Sequence, residues 1–266
     1  MPREEKGANM TFEEFFECGR LRSLMTSYKQ KKQKAIKICI DELQKHKAPY
    51  VALSGGKDSV AMAFIVDEAA KAIGSNFTLW THLSDASFPG TEDVCRKVAK
   101  MINRQLDISR CEKSAFDLLT IERKQAFGKT GVFFSEVRAY AKSKDLAFVG
   151  TRANESKRRM QAAKAHGTSF YSKSMGDCTV VNPLQWFDIY DVAAALVEYE
   201  APIHPIYKKM SVDVGNNANG EPYFIRLSYI TSKDLWEKGT LTFIKINYPE
   251  IYAKLLRACP DIARFA

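Results

Sequence analysis

No two cysteines stand at C-x-x-C spacing; the six present (Cys18, Cys39, Cys95, Cys111, Cys178 and Cys259) are scattered along the chain. That spacing argues against a zinc knuckle, a paired redox motif and a cysteine-held iron–sulfur cluster alike, and leaves free thiols of a reducing compartment. Histidine is scarce as well. His46, His82, His166 and His204 share no metal-ligand spacing and are assigned no chemistry. No stretch approaches the roughly 18 uninterrupted apolar residues of a membrane span, and Met1-Pro2-Arg3-Glu4-Glu5-Lys6 lacks the apolar run of a secretory signal. The expectation is a cytoplasmic protein without membrane contact. No internal repeat is found.

What is present is enough for one sizeable core: 266 residues, 45% of them hydrophobic and 27% charged. Acidic residues are outnumbered, and the net charge is +9. The excess gathers at Lys29 to Lys37, at Arg152 to Lys164, and more loosely at Arg96 to Arg110. It suits an anionic partner, either nucleotide phosphates alone or a nucleic acid as well.

Along the chain, Thr11 and Glu14 form a capping box for a helix over Phe12 to Thr26, and a second helix is expected from about Tyr28 to His46. At Tyr50 the period changes. Tyr50 to Leu53 reads as a strand, Ser-Gly-Gly as a tight turn, and Lys57 to Ile73 as a helix closed by Gly74. The alternation continues with a strand over Phe77 to Leu83, a helix from Thr91 to Arg104, a strand over Leu106 to Cys111, one or two helices between Ser114 and Ser143, and a strand over Leu146 to Gly150. Repeated units of this kind imply an α/β fold: an open, mostly parallel sheet with helices on both faces. Beyond Gly150 the pattern is irregular, with a basic stretch to Lys164, a hairpin across Phe170 to Val181, a helix from about Asp188 to Tyr199, a turn-rich loop at Val214 to Gly220, and helical signals at Ser232 to Glu237 and Thr242 to Cys259. The expected organisation is a helical segment (1–48), a nucleotide-binding domain (49–207) and a helical extension (208–266). Whether the first segment covers the sheet edge or makes a homodimer stays open.

Ser54-Gly55-Gly56-Lys57-Asp58-Ser59 carries the chemistry. A strand that ends in Ser-Gly-Gly and feeds a helix offers backbone N–H groups and the positive end of the helix dipole to an anion. Glycine permits close approach, Lys57 adds a cation, and Ser54 and Ser59 add hydroxyls. The spacing is not that of a Walker A loop. It resembles instead the Ser-Gly-Gly-x-Asp-Ser signature of the PP-loop superfamily, the adenine nucleotide α-hydrolase-like enzymes. Three further segments point to its phosphoadenylylsulfate (PAPS) reductase-like branch: Ser84-Asp85-Ala86-Ser87-Phe88-Pro89-Gly90-Thr91; Gly150-Thr151-Arg152-Ala153-Asn154-Glu155-Ser156 with Arg158 and Arg159; and Pro183 to Val192 followed by His204-Pro205-Ile206-Tyr207. The likeness runs from about Val51 to Tyr207.

In an open parallel sheet the ligand lies beyond the carboxyl ends of the strands, where Ser54, Asp85 and Gly150 are expected. Asp85 is read as a carboxylate for Mg²⁺ or a ribose hydroxyl, and Arg152, Arg158 and Arg159 as clamps on phosphate. Lys57, Asp85 and Arg152 are the expected catalytic residues. Trp186 and Tyr207 are read as packing aromatics rather than base-stacking platforms.

The likeness fails in places. PAPS reductases carry a nucleophilic cysteine in a C-terminal Glu-Cys-Gly-Ile-His motif, whereas Cys259 here stands in Arg257-Ala258-Cys259-Pro260. Arg226-Leu227-Ser228-Tyr229 occupies the place of a cysteine-bearing motif of the cluster-binding relatives, so neither iron–sulfur cluster nor zinc is expected. The Gly-x-Arg-Arg-x-Asp-Pro segment of the family's FMN adenylyltransferases is missing. The resemblance then implies a transferase that binds ATP (or PAPS) with Mg²⁺ and cleaves at the α-phosphate, adenylating an acceptor that a nucleic acid could supply. The alternatives are a sulfonucleotide reductase using Cys259, or a silent nucleotide-sensing or nucleic-acid-binding module.

Overall fold

The computed structural model describes residues 11–111, 114–116, 132–209 and 240–265. The expectations for Val214 to Gly220, Arg226 to Tyr229 and Ser232 to Glu237 fall outside them. The chain opens with helices α1 (Phe12–Leu24) and α2 (Thr26–Leu43), then alternates β1 (Pro49–Ala52), α3 (Lys57–Ile73), β2 (Thr78–Leu83), α4 (Thr91–Ile102) and β3 (Leu106–Arg110). Helix α5 (Val132–Ala141) leads into β4 (Leu146–Phe148), a 3-10 turn at Ala153–Glu155, α6 (Lys157–His166), β5 (Ser169–Ser172) and β6 (Cys178–Val181). Helices α7 (Ile189–Glu198), α8 (Ile206–Lys209), α9 (Thr240–Asn247) and α10 (Pro249–Ala258) follow, and a 3-10 helix at Pro260–Phe265 is the last described element.

The six strands lie in the order β3-β2-β1-β4-β6-β5, parallel except for β5, which returns antiparallel to β6 as the expected hairpin. From β1 the chain builds outward through β2 to β3, then crosses to the other side of β1 to lay down β4. Neighbouring crossovers therefore diverge between β1 and β4, which opens a crevice above their carboxyl ends.

Alternation along β1 sends Val51 into the larger core, with Leu79, Phe148 and Val181 from the other strands and the apolar faces of α2, α3, α4 and α7. Tyr50 goes to the opposite face with Trp80, Ala147 and Val180, against Val137 and Ala141 of α5. Helix α3 is buried nearly all round, as its run from Val60 to Val66 requires.

The capping box at Thr11 and Glu14 forms as expected. Neither N-terminal helix covers a sheet edge: α1 lies along α7 and α2 along α3, as a second helical layer. Two sequence expectations need correction. The basic stretch after Gly150 contains a helix, α6, capped by the Ser156 hydroxyl accepting from the Arg159 N–H at 3.2 Å. The helix expected over Thr242 to Cys259 is two, broken at Tyr248, because Pro249 lacks an N–H and starts a new helix at its first position.

Candidate functional site

The loop after β1 is braced by its own serines. The Ser59 hydroxyl donates to the Gly56 carbonyl at 3.0 Å and accepts the Ser54 N–H at 3.1 Å. Its proton being used, it accepts the Ser54 hydroxyl at 3.0 Å. Gly55 adopts φ +74°, a left-handed value that a side chain disfavours. Gly150, in the loop after β4, lies so close to the start of α3 that a Cβ there would stand 3.1 Å from the Asp58 carbonyl carbon and the Ser59 nitrogen. That approach joins the two walls of the crevice.

Asp58 ties them chemically. Its carboxylate accepts from the Lys57 ammonium and, at 2.6 Å, from Arg152 Nε. Lys57 is 6% exposed and Arg152 4%. Burial would raise the Asp58 pKa, but the charges of Lys57 and Arg152 and the hydrogen bonds they donate outweigh it, holding the carboxyl below the ordinary carboxylate range. Stranding either cation in this interior would cost several kcal/mol, so the carboxylate is what keeps both in place. Arg152 spends only Nε on it. Its two terminal amino groups make no hydrogen bond among the described residues and present the fork geometry that suits phosphate.

Tyr207 enters from α8. Its hydroxyl accepts the Lys57 N–H at 3.2 Å, and its ring stacks on Phe12 of α1, centroids 5.3 Å apart. Burial and then the Asp58 charge push the phenol pKa up. His204, just before, is also buried. Its Nδ1 accepts the Ile206 N–H at 3.1 Å, so Nε2 carries the proton and donates it to the Thr91 hydroxyl, which donates to the Phe88 carbonyl at 2.8 Å. Desolvation lowers the His204 pKa to about 4, which keeps the ring neutral. These bonds tie the Phe88–Thr91 segment to the start of α8, and Thr91 packs beside Gly55, whose Cβ would stand 3.3 Å from the Thr91 carbonyl oxygen. The histidine-proline-isoleucine-tyrosine spacing holds that signal, but the helix-opening amide it serves lies 150 residues away.

The other expected residues are placed differently. Asp85 is exposed beyond β2 and accepts from the Ala115 N–H at 2.9 Å and from the Ser114 hydroxyl. Arg159 pairs with Glu155, and Arg158 is exposed without an ion pair among the described residues. Cys259 is buried in the cluster of α9 and α10 with Leu255 and Ile262. Tyr207 is a core aromatic, as expected, but Trp186 is not: it is 50% exposed, because in its turn Leu184 and Phe187 take the inward positions. Next to it Gln185 is 3% exposed, and neither its amide oxygen nor its amide nitrogen has a hydrogen-bond partner among the described residues. Also among the described residues, no three His, Cys, Asp or Glu side chains gather to hold a metal, and no helix is long and apolar enough to cross a membrane.

Among solved structures, a Candida glabrata FMN adenylyltransferase with FMN and an ATP analogue is similar at 10% identity and TM-score 0.55, covering 90% of this chain and 92% of that one. A Candida auris PAPS reductase in a phosphate complex is similar at 16% identity and TM-score 0.48, covering 75% and 93%. A Francisella tularensis NMN synthetase is similar at 14% identity and TM-score 0.48, covering 90% and 96%. No curated protein matches the chain. The model of the phosphoadenosine phosphosulfate reductase domain matches residues 48–222, more than half of the chain, and the protein belongs to that family within the PP-loop superfamily.

Proposed function

We propose that the protein is a cytoplasmic adenylyl transferase that takes MgATP as substrate at the crevice between β1 and β4. The observation that carries this reading is Arg152: buried, anchored through Nε to Asp58, its fork left for a ligand beside the glycine loop. The loop Ser54 to Ser59 and the Asp58 and Ser59 amides of the first turn of α3, the Lys57 amide being taken by Tyr207, hold the phosphates, with Gly150 as the opposite wall. Arg158 and Arg159 stand further out on the same segment, where Arg158 can reach a longer anion.

An acceptor oxygen forms a new bond to the α-phosphorus while the bridging bond to the β-phosphate breaks. The electron pair leaves with pyrophosphate, and the acceptor's proton passes to water. Charge grows on the leaving oxygens, and Lys57 and Arg152, fixed in advance in a dry site, stabilise it without reorganising. Mg²⁺ arrives with the triphosphate. The described residues offer it only scattered carboxylates: Asp58 is engaged by two cations, while Asp85 is exposed and is the group that would face the metal or a ribose hydroxyl. No step is assigned to a resident metal.

Incubation with α-labelled ATP is expected to yield pyrophosphate together with AMP or an adenylylated product. Arg152→Lys keeps the charge but loses the fork, and should lower the rate by about 100-fold. An unchanged rate would contradict the assignment. Cys259→Ser should retain all turnover; complete loss would favour a sulfonucleotide reductase instead.

A further inference from the structure

Between Arg152 and Lys173 the chain has one acidic residue, Glu155, and it is taken by Arg159. Lys157, Arg158 and Lys164 on α6 are exposed and have no carboxylate within ion-pair distance among the described residues. Only Ala163 of this helix is buried, so it lies on the surface without a hydrophobic reason for its composition. The turn that carries Trp186 is tied to the same segment at two points. Asn182 N–H donates to the Thr168 carbonyl at 2.9 Å, just after α6, and Ala153 N–H donates to the Gln185 carbonyl at 2.8 Å, just before it. A half-exposed indole therefore stands next to an uncompensated basic helix, one residue past a backbone bond to the neighbour of Arg152. Next to Trp186 in sequence, Gln185 is buried with its amide unpartnered among the described residues.

We infer that α6 and the Trp186 turn form a docking surface for single-stranded nucleic acid, which brings the acceptor to the nucleotide site. Cations that follow a phosphate backbone beside an aromatic face that stacks an unpaired base are the elements such binding uses. An acidic protein would use the cations but leave the indole without a counterpart. The acceptor role rests on the adenylyl-transfer reading; the docking surface does not.

Fluorescence anisotropy of a labelled single-stranded 20-mer, in RNA and DNA forms and at several salt concentrations, tests the surface. Binding is expected, with log K falling linearly with log salt. The double variant Lys157→Ala/Lys164→Ala should make that slope shallower by about 1.4, at about 0.7 for each phosphate no longer neutralised. Trp186→Ala should weaken binding roughly ten-fold without changing the slope. All these variants should titrate with ATP as the parent does. Absence of oligonucleotide binding at low salt, or equal binding of poly-glutamate that is insensitive to Trp186→Ala, overturns the inference. Oligonucleotide binding with the expected slopes, but no heat from ATP, would uphold the surface and overturn the adenylyl-transfer reading instead.

Discussion

Helices α2 and α6 are both basic, and the chain treats their inner charges in opposite ways. On α2 three of the five lysines are engaged: Lys31 pairs with Asp188 and Asp191, Lys32 with Glu68 and Glu198, and Lys37, at the surface, with Asp41, while Lys29 and Lys34 are exposed without an ion pair among the described residues. Asp191 is fully buried and also accepts from Arg22 of α1 at 2.7 Å, as Asp188 does, so the two carboxylates at the start of α7 hold both N-terminal helices to the core. On α6, Lys157, Arg158 and Lys164 have no such partners among the described residues. A basic run in sequence is thus a structural brace in one place and a bare surface in the other, and only the positions of distant carboxylates tell them apart.

The largest test of the difference is Asp191→Ala. It leaves Arg22 and Lys31 with Asp188 alone, removes the acceptor of the Asp188 N–H in the α7 capping box, and should cost about 3–5 kcal/mol in urea unfolding. The folded fraction should keep its oligonucleotide affinity. A cost below about 1 kcal/mol would mean that α1 and α2 are not braced as described.

His204 shows what happens to a cation-capable group with no carboxylate. Burial alone acts on it and lowers its pKa to about 4. The unfolded chain, near 6.5, then binds the proton more readily than the folded one, so stability is intact above pH 6.5 and declines as pH falls toward 4. The loss should reach up to about 3 kcal/mol, and His204→Asn should flatten that part of the profile. Below it, Asp58 and Asp191, whose cation partners hold their pKa values down against burial, protonate and add a second decline. A profile level from pH 7 to 4.5 in the parent would contradict the neutral, desolvated ring.

Smaller is the effect expected for Gly19→Val. A Cβ at Gly19 would stand 2.8 Å from the backbone of Ala193, so α1 must lift from α7 at about 1–3 kcal/mol by thermal melting. An unchanged melting point would show that the two helices pack loosely there. Smallest of all in stability are Lys157→Ala and Lys164→Ala, within about 0.5 kcal/mol, since neither side chain holds the fold. A larger loss would show that α6 is a brace after all.

Much of this is legible in the sequence. Strand, glycine turn and helix from Tyr50 to Gly74 are local patterns, and the structure has them as read. The loop residues and Gly150 stand out by spacing, and the sheet order brings them together. What spacing cannot carry is pairing at a distance. Asp58 anchors Arg152 across 94 residues, and Tyr207 serves the Lys57 amide across 150. Trp186 reads wrongly as a packing aromatic because its neighbours Pro183, Leu184 and Phe187 are apolar, and a turn, unlike a strand or helix, has no fixed period to say which side chain faces out.

The most direct test of the account is calorimetric titration of the protein with MgATP, set beside Lys57→Ala and Arg152→Ala. The account predicts a single binding isotherm for the parent and a weakening of at least about ten-fold for either variant, as expected when one charge-assisted hydrogen bond to phosphate is removed. Equal isotherms for all three, or no heat in the parent, would contradict it.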